Sequence, residues 1–390
     1  MKKLVIFIGG LKFGGMERVA FIAAELLKDL YDITIVTLYQ SNAEYDLQLK
    51  NYDIAVPPRT GAVGYFLVAL KRLIRTKKMK KVLNPDIVLS FGMYVNYMNA
   101  LTKGKEKIVM GIRSYDWLTK PFFSKKMDAY IVSKFDSVNA VSQLIAKDVF
   151  SNWRVANNMC RVIYNPYDIE YIQNKAEEPI DDFIFDDDLF YYVSMGRLSH
   201  QKAYNHLIKA FSIVNSNNKN TRLIIMGNGE LKDQLQLLIN NLGLSDYVFL
   251  LGGKENPYKY VQKSQVYVLS SLSEGFPNAM VESMALSVPI VATDCNSGPR
   301  EILAPGTLID EKCSIPTKES YGILVPQVND NNNFNPEEIE DCDKSLAEGM
   351  IMMFDHETRK EYANRSLEGI SSFNYEAFRR RMLEELESLN

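Results

Sequence analysis

The stretch Ser271-Leu-Ser-Glu-Gly-Phe-Pro-Asn-Ala-Met-Val-Glu-Ser-Met-Ala-Leu286 carries most of the information about fold and site. It follows residues 265–269, Gln-Val-Tyr-Val-Leu, a sequence that is typical of a strand. A Gly275-Phe-Pro277 turn then leads into an amphipathic helix, with Asn278 expected as its N-cap. A strand, a tight turn and a helix in this order direct backbone N–H groups to one edge of a sheet. The pattern predicts an anion-binding turn in an α/β fold.

Two carboxylates flank this turn. Glu274 precedes it, and Glu282 lies in the first turns of the helix. Carboxylates only accept hydrogen bonds, which suits sugar hydroxyls, and the neighbouring N–H groups suit a phosphate. The combination is what a nucleotide sugar needs. On spacing alone, a Glu-rich loop whose carboxylates merely interact with the helix dipole is an open alternative.

A second motif lies upstream, in residues 190–211. It consists of a predicted strand, a turn at Gly196, two cations, Arg197 and Lys202, and a helix expected to start near Ala203. Two cations at the carboxyl end of a strand lie where open α/β sheets bind ligands. They are suited to holding a diphosphate and to offsetting the charge on a departing one.

These motifs resemble the retaining, nucleotide-sugar-dependent glycosyltransferases of family 4. The matching segments occur in the family's order and are residues 14–19, 162–168, 195–198 with Lys202, 226–230, 273–285, 289–293 and 298–302. The resemblance implies an α/β chain of the GT-B class, with two Rossmann-like, doubly wound parallel-sheet domains and a cleft between them.

The resemblance also implies roles for individual residues. Arg197 and Lys202 would hold the diphosphate, Glu282 the ribose hydroxyls and Glu274 the hydroxyls of the donor sugar. The catalytic set is thus Arg197, Lys202 and Glu274, and the donor-binding positions are Gly14, Gly15, Gly196, Gly227, Gly275, Phe276, Pro277, Asn278 and Glu282. The leaving phosphate would itself help to deprotonate the acceptor, so no dedicated general base is implied. We expect no cofactor and no metal, because no Asp-x-Asp motif stands at a strand end and the three histidines form no metal-binding pattern.

The sequence departs from the family after the predicted strand of residues 107–110. Many members have a histidine at the end of that strand, whereas here residues 112–116, which include Arg113 and Asp116, follow the strand and no histidine lies near. By analogy with relatives that have arginine in this loop, Arg113 is expected to bind the phosphate of the acceptor, or the donor. Asp116 is a second candidate for acceptor binding. Both residues have a plain surface role as the alternative.

Strand and helix patterns alternate along the whole chain, which predicts parallel sheets covered on both faces. Predicted strands are residues 4–8, 33–38, 86–89, 107–110, 137–140 and 161–163, then 190–194, 222–225, 248–250, 265–269, 290–292 and 322–325. We expect an acceptor-binding domain over residues 1–170 and a nucleotide-sugar domain over residues 171–372, with an acidic linker at 169–188. In GT-B enzymes the last helix, here residues 373–390, returns to the first domain; packing on the second domain is the alternative.

Charge is distributed unevenly. Residues 1–170 contain 25 Lys and Arg against 15 Asp and Glu, whereas residues 171–390 contain 20 against 33. Much of the basic charge falls in a predicted helix, residues 64–82, with Leu67, Leu70 and Ile74 on one face. Its cations are Lys71, Arg72, Arg75, Lys77, Lys78, Lys80 and Lys81. Such a helix is suited to docking on anionic lipid of the inner leaflet. Alternatively, the helix is solvated and its Leu/Ile stripe packs on the sheet.

The remaining features bound the function. We predict a cytoplasmic protein, because the four cysteines are scattered, no apolar run is long enough to span a bilayer, and the first segment is better interpreted as a strand than as a signal peptide. Together with the basic helix, this predicts a peripheral protein at the inner face of the plasma membrane. Nucleic acid is not an expected partner, because the chain is acidic overall and has no recognition motif.

We therefore predict a retaining enzyme that moves a hexosyl group (Glc, Gal, GlcNAc or GalNAc) from a UDP-sugar to a sugar or lipid-linked oligosaccharide in the synthesis of a bacterial surface polysaccharide. The alternatives are a sugar-nucleotide 2-epimerase of the same fold and a non-catalytic subunit that binds a nucleotide sugar. An epimerase requires several acid/base side chains, and the scarcity of histidine argues against it.

Overall fold

A computed structural model describes residues 1–10, 15–39, 49–113, 125–153 and 159–389. The chain divides into two compact units. Unit 1 is Met1–Pro166 with Tyr375–Asn390, and unit 2 is Tyr167–Asn374. The sequence places these boundaries at residues 170 and 372 to 373, within a few residues of the positions in the structure.

Unit 1 is built on a seven-stranded parallel sheet in the order β3-β2-β1-β4-β5-β6-β7. The strands are β1 (Lys2–Ile8), β2 (Tyr31–Thr37), β3 (Lys50–Asp53), β4 (Ile87–Phe91), β5 (Lys107–Ile112), β6 (Ser137–Ala140) and β7 (Cys160–Val162). The helices before the crossover to unit 2 are α1 (Gly15–Leu27), α2 (Ala62–Leu83), α3 (Met93–Leu101), α4 (Lys125–Val132) and α5 (Gln143–Trp153). Every residue of β4 is buried, as expected for a central parallel strand that is covered on both faces.

The last helix of the chain packs on unit 1. It spans Tyr375–Glu387, and its Phe378, Met382 and Leu386 join the same apolar core as β1 and α1. On its other side, the buried carboxylate of Glu385 accepts hydrogen bonds from Ser137 Oγ at 2.7 Å and from Asn139 Nδ2 at 3.0 Å. Both apolar burial and polar contacts thus hold this helix against the unit 1 sheet.

Unit 2 has a second seven-stranded sheet, in the order β10-β9-β8-β11-β12-β14-β13. The strands are β8 (Phe190–Met195), β9 (Thr221–Met226), β10 (Val248–Gly252), β11 (Val266–Leu269), β12 (Ile290–Thr293), β13 (Thr317–Glu319) and β14 (Gly322–Val325). Its helices are α6 (Ile169–Ala176), α7 (Tyr204–Asn217), α8 (Lys232–Asn241), α9 (Tyr258–Gln262), α10 (Asn278–Ala285), α11 (Pro299–Leu303), α12 (Asp341–Met352) and α13 (His356–Gly369).

Two strands of the structure are missing from the sequence prediction. The edge strand β3 carries the polar sequence Lys-Asn-Tyr-Asp, which has no apolar signal. The edge strand β13 pairs antiparallel with β14. The sequence predicts a purely parallel sheet, and the unit 2 sheet departs from this prediction at that edge. The predicted α/β class with two Rossmann-like parallel-sheet units is confirmed.

The predicted linker at residues 169–188 is wrong, because this stretch is built into unit 2. Its first half is helix α6, and Asp168 Oδ1 caps that helix by accepting from the backbone N–H of Tyr171 at 2.9 Å. In its second half, Phe183 and Phe185 make an edge-to-face contact with a centroid distance of 5.0 Å, and both rings contact Tyr191. The aromatic residues between the aspartates therefore anchor the segment.

Candidate functional site

The two sequence motifs of unit 2 meet at the carboxyl ends of the neighbouring strands β8 and β11. Lys202 ends a short 3₁₀ turn after β8, and its Nζ donates to Oε1 of Glu274 at 2.7 Å. Ser271 Oγ donates to the same oxygen at 2.6 Å. Glu274 is 7% exposed, so its charge is held within the protein and not in bulk water. Oε2 of Glu274 makes no hydrogen bond with the described residues.

The ion pair keeps Lys202 charged. Burial alone would lower the pKa of Lys202, but the Glu274 carboxylate outweighs burial and the pKa lies above its ordinary value. Arg197 is in a different environment, since its side chain is 74% exposed and pairs with Glu230 at 3.2 Å. The site thus has one fixed cation and one that can change partners at small cost.

The loop after β9 supports the loop that carries Arg197. The backbone N–H of Gly196 donates to Met226 O at 2.9 Å, and that of Leu198 donates to Asn228 O at 3.0 Å. Gly227 has φ +151, and a Cβ placed on it would lie 1.8 Å from the carbonyl oxygen of Gly196. The predicted position Gly227 is therefore required for two backbones to approach closely beneath Arg197.

The Gly275-Phe-Pro277 turn rests on a second loop, residues 294–298. The backbone N–H of Glu274 donates to Asn296 O at 2.9 Å, and Ser297 Oγ donates to Gly275 O at 2.8 Å. Beneath the turn lies Gly298 with φ +105, where a Cβ would come within 2.2 Å of Pro277 Cδ. The ring of Phe276 is buried and packs edge-on against Phe373 at 5.4 Å.

A buried ion pair that sequence reasoning missed fixes this supporting loop. Asp294 is fully buried, and its carboxylate accepts from Arg300 Nη2 at 2.5 Å and from the backbone N–H of Cys313 at 2.8 Å. Arg300 lies within the matching segment 298–302, but its partner follows β12 and has no sequence signal of its own. The pair ties the start of the 294–298 loop to helix α11.

The helix after the turn differs in one detail from the prediction. Asn278 is not the N-cap but the first helical residue, with Pro277 before it. Because Pro277 occupies the cap position, Asn278 Oδ1 is instead available to accept from Tyr167 Oη, at 2.5 Å. Glu282 follows one turn later, is 8% exposed, and accepts from Tyr258 Oη at 3.3 Å.

The predicted site residues of unit 1 are only partly within the described structure. Gly15 begins α1, whereas Gly14 and Asp116 lie outside the described residues. Arg113 Nη1 donates to Ile163 O at 2.6 Å and Nη2 donates to Asn139 Oδ1 at 2.9 Å, and its guanidinium lies 5.3 Å from the ring centroid of Phe91. These contacts give Arg113 a structural function, and its acceptor-binding role stays a prediction.

The basic helix α2 faces the protein differently from the prediction. Arg72, Arg75 and Lys80 turn inwards, where the two arginines donate to backbone carbonyls of residues 54–56 and Lys80 pairs with Glu106 at 2.7 Å. The outer face exposes the apolar residues Val63, Phe66, Leu67, Leu70 and Ile74, together with Lys71, Lys77, Lys78 and Lys81.

This orientation corrects two expectations. Arg72, Arg75 and Lys80 are not part of the outer face of α2, because their side chains donate to acceptors within unit 1. The alternative in which the Leu/Ile stripe packs on the sheet is also wrong, since Leu67, Leu70 and Ile74 are 50%, 46% and 62% exposed. In the part of the chain that the structure covers, no helix has the length and apolar character needed to cross a bilayer.

One histidine cluster lies in the core of unit 2. His206 on α7 contacts Cys342 and Asp343 on α12, and the possible ligand atoms of all three lie within 4.8 Å of one another. Nδ1 of His206 is 2.6 Å from Asp343 Oδ1, a hydrogen-bond distance, whereas two ligands on a tetrahedral zinc would be about 3.3 Å apart. Burial alone would lower the pKa of His206, but Asp343 outweighs it and raises the pKa to about 10. The geometry is that of a buried ion pair.

Comparisons with known proteins cover both units. Residues 176–320 match the family model described as glycosyl transferases group 1, and residues 13–171 match glycosyltransferase family 4. An uncharacterised glycosyltransferase of Methanocaldococcus jannaschii is 33% identical over 328 residues, which cover 79% of this chain and 80% of that protein.

A second relative is the N-acetylgalactosamine-N,N'-diacetylbacillosaminyl-diphospho-undecaprenol 4-alpha-N-acetylgalactosaminyltransferase of Campylobacter jejuni. It is 28% identical over 390 residues, and the match covers 96% of each chain. Among solved structures, Anabaena HepE in complex with UDP superposes with a TM-score of 0.73 at 17% identity, covering 99% of this chain and 100% of that one. At this identity the likeness concerns the fold.

Proposed function

The chain belongs to the group 1 glycosyltransferases of family 4, and we propose that it transfers a hexosyl group from a UDP-sugar, with retention at the anomeric carbon, to a sugar or lipid-linked glycan. The observation that supports this best is the convergence of Arg197, Lys202 and Glu274 at the carboxyl ends of β8 and β11. Cations beside a buried carboxylate meet the needs of a diphosphate leaving group attached to a sugar.

Charge compensation is the proposed role of the two cations. Bond cleavage leaves additional negative charge on the diphosphate, and a cation already in place stabilises that charge without reorganisation. Lys202 is held in position by Glu274, so its ammonium is preorganised. Arg197 can leave Glu230 for the diphosphate, since their contact is exposed and exposed ion pairs contribute about 1 kcal/mol or less.

Hydroxyl recognition is the proposed role of the two glutamates. Oε1 of Glu274 is occupied by Lys202 and Ser271, and Oε2 is left to accept from a hydroxyl of the donor sugar. Glu282 would accept from the ribose hydroxyls. The backbone of Gly275, Phe276, Pro277 and Asn278 would contact the sugar and phosphate, and the 294–298 loop holds that backbone in place.

The proposed mechanism uses no dedicated general base. The departing phosphate oxygen accepts the acceptor's proton while Arg197 and Lys202 stabilise the remaining charge. Because these cations do the work that a divalent metal does elsewhere, we propose that transfer needs no metal and proceeds in excess chelator.

The acceptor and the cellular location are proposed from the relatives and from helix α2. The Campylobacter relative acts on a glycan carried by diphospho-undecaprenol, and we propose a lipid-linked acceptor for this chain too, in the synthesis of a surface polysaccharide. The outer face of α2 offers apolar side chains and four lysines to an anionic leaflet. The enzyme would then be cytoplasmic and peripheral on the inner face of the membrane.

A donor screen tests the proposal. The full-length protein is incubated with UDP-Glc, UDP-Gal, UDP-GlcNAc or UDP-GalNAc, with and without diphospholipid-linked saccharides, and UDP release is measured. We expect release with one of these donors and only when acceptor is present. An epimer formed without acceptor would instead support the 2-epimerase. UDP binding without turnover on any donor would support a non-catalytic subunit.

A further inference from the structure

Unit 1 has a cavity of about 280 Å³ at the carboxyl ends of β1, β2 and β4. Its walls include the backbone of Gly9 and Gly10 after β1, Tyr39 after β2 and the residues that join β4 to α3. This edge of a parallel sheet is where open α/β folds bind ligands. All the residues that line the cavity belong to unit 1.

Arg72 projects from the inner face of α2 into the wall of this cavity. It is 7% exposed, and both Nε and Nη2 donate to the carbonyl oxygen of Val56, at 3.0 and 2.7 Å. Its guanidinium also lies 5.0 Å from the ring centroid of Tyr94 and 5.7 Å from that of Tyr39. These contacts fix the guanidinium in one orientation against the cavity.

The charge of Arg72 is not neutralised within the described structure. No carboxylate there forms an ion pair with it, and its Nη1 makes no hydrogen bond to a described residue. A buried cation without an anionic partner is unfavourable, because the carbonyl of Val56 and the two aromatic rings only partly replace the water that burial removes. Lys80 on the same helix shows the ordinary solution, since its buried ammonium is paired with Glu106.

The start of α3 lines the same cavity. This nine-residue helix begins at Met93 after Gly92, which has φ +97 and provides no side-chain cap. First-turn N–H groups of a helix have no partner within the helix and carry partial positive charge, which favours an anion. Arg72 and the first turn of α3 therefore present positive charge to one cavity, which the carboxylate of Glu17 also lines.

We propose that this cavity binds a phosphate group of the acceptor, with Arg72 as its principal charged contact. The forked guanidinium is suited to bidentate contact with phosphate, and a neutral sugar would leave its charge uncompensated. Glu17 at the cavity wall can accept from hydroxyls of the attached sugar. The inference rests on the proposed function for the identity of the ligand, but phosphate binding itself can be tested without turnover.

The first experiment is a calorimetric titration of the full-length protein with inorganic pyrophosphate, in saturating UDP so that the donor site is occupied. We expect binding by wild type, an affinity at least about tenfold lower for Arg72→Met, and weakened binding for Arg72→Lys, which keeps the charge but loses the fork. Arg75→Met is the matched control, because Arg75 donates to the carbonyls of Ile54 and Ala55 but does not line the cavity.

The Arg75→Met protein should bind pyrophosphate like wild type, and UDP binding and thermal unfolding should show that Arg72→Met is folded. Equal affinities for wild type and Arg72→Met, or no binding by wild type, would overturn the proposal.

A second, kinetic experiment identifies the source of the phosphate. Arg72→Met should raise the KM for a diphospholipid-linked saccharide by at least about tenfold and leave the KM for the UDP-sugar unchanged. An unchanged KM for this acceptor would also overturn it, even if the enzyme is a glycosyltransferase as proposed.

Discussion

Nζ of Lys202 donates a hydrogen bond to Oε1 of Glu274 at 2.7 Å, although 72 residues separate them in the chain. The contact joins the loops that follow β8 and β11, which are neighbours in the unit 2 sheet. Since both side chains are largely buried, neither can move far without leaving the other uncompensated. The pair therefore places a cation at one fixed separation from the carboxylate that we propose binds the donor sugar, before any donor arrives.

Removing Arg197 should affect chemistry and leave stability unchanged. Arg197→Ala is expected to lower kcat by about 10²–10³, the usual effect of losing a charge contact made in the transition state. Thermal unfolding should not change, because the side chain is 74% exposed. Arg365→Ala is the control, since Arg365 is also an exposed arginine paired with a glutamate of unit 2 and lies on α13. Equal kcat values for Arg197→Ala and wild type would contradict the assigned role.

Removing Lys202 should lower both activity and stability. Lys202→Met leaves the buried Glu274 carboxylate without its cation, which commonly costs about 3–5 kcal/mol. The double variant Lys202→Met/Glu274→Gln removes both charges, so its free energy of unfolding should recover towards wild type while kcat stays low. Chemical denaturation and steady-state kinetics on the same samples measure both quantities. A double variant that is less stable than Lys202→Met would show that the pair is not coupled as described.

Gly298 should be essential for the shape of the Gly275-Phe-Pro277 turn, which we propose contacts the UDP-sugar. In Gly298→Ala the new methyl group would lie 2.2 Å from Pro277 Cδ, so the turn must shift and the KM for the UDP-sugar should rise. Gly306→Ala is matched to it, because Gly306 also has positive φ, +88, but no atom lies within 4 Å of a Cβ placed there. Both variants should lose some stability from backbone strain, and only Gly298→Ala should change donor KM. Equal KM values for the UDP-sugar in the two variants would show that the turn does not take part in donor binding.

The outer face of α2 should bind anionic membranes. Lys71, Lys78 and Lys81 are exposed, and changing all three to Glu should abolish binding to vesicles that contain anionic lipid, measured by sedimentation. Wild-type binding should fall at high salt, since the Debye length decreases from about 10 Å at 0.1 M to about 3 Å at 1 M.

The control for this charge reversal is Lys232→Glu/Lys263→Glu/Lys360→Glu, which makes the same change in net charge at exposed positions of unit 2. It should retain vesicle binding. A separate variant, Leu67→Ser/Leu70→Ser/Ile74→Ser, should weaken binding at every salt concentration, because these side chains supply the apolar contact. Equal binding of wild type to neutral and anionic vesicles would contradict the docking proposal.

The His206–Asp343 pair should make stability depend on pH in the alkaline range. The pKa of His206 is raised from 6.5 to about 10 in the folded protein, so its contribution is complete below about pH 6.5 and is lost as pH rises towards 10. Neighbouring Cys342 and Glu340 face the same histidine. The difference in free energy of unfolding between wild type and His206→Gln should shrink by at least about 1 kcal/mol from pH 6.5 to 9.5. A difference that is constant with pH would show that the histidine is neutral in the fold.

Sequence reasoning succeeded where a residue's position along one β-α unit decides its place. Gly196 and Lys202 follow β8 directly, and Glu274 follows β11, so alternation of strands and helices already brings them to one edge of the sheet. It failed where a partner is distant in sequence. Asp294 and Asn296 follow the neighbouring strand β12 and support the Gly275-Phe-Pro277 turn. No local sequence pattern marks them as supporting residues.

Helix α2 shows a different failure. Periodicity assumes that the apolar stripe faces the core, but α2 exposes Leu70 and Ile74 and buries Arg72. The buried guanidinium of Arg72 donates to the carbonyl of Val56, which lies after β3 in the chain. The polar strand β3 also lacked a sequence pattern that would predict it. An inward cation is stable only because tertiary contacts supply its acceptors, and these are not encoded in the helix itself.

The anomeric configuration of the first-formed product tests the central claim most directly. With the active α-linked UDP-sugar and a lipid-linked acceptor, the proton NMR spectrum of the product shows the configuration of the new glycosidic bond before any equilibration. Retaining transfer, with Arg197 and Lys202 stabilising a leaving diphosphate on the face that the acceptor attacks, predicts an α-linked product. A β-linked product would contradict that arrangement and require inversion at the anomeric carbon.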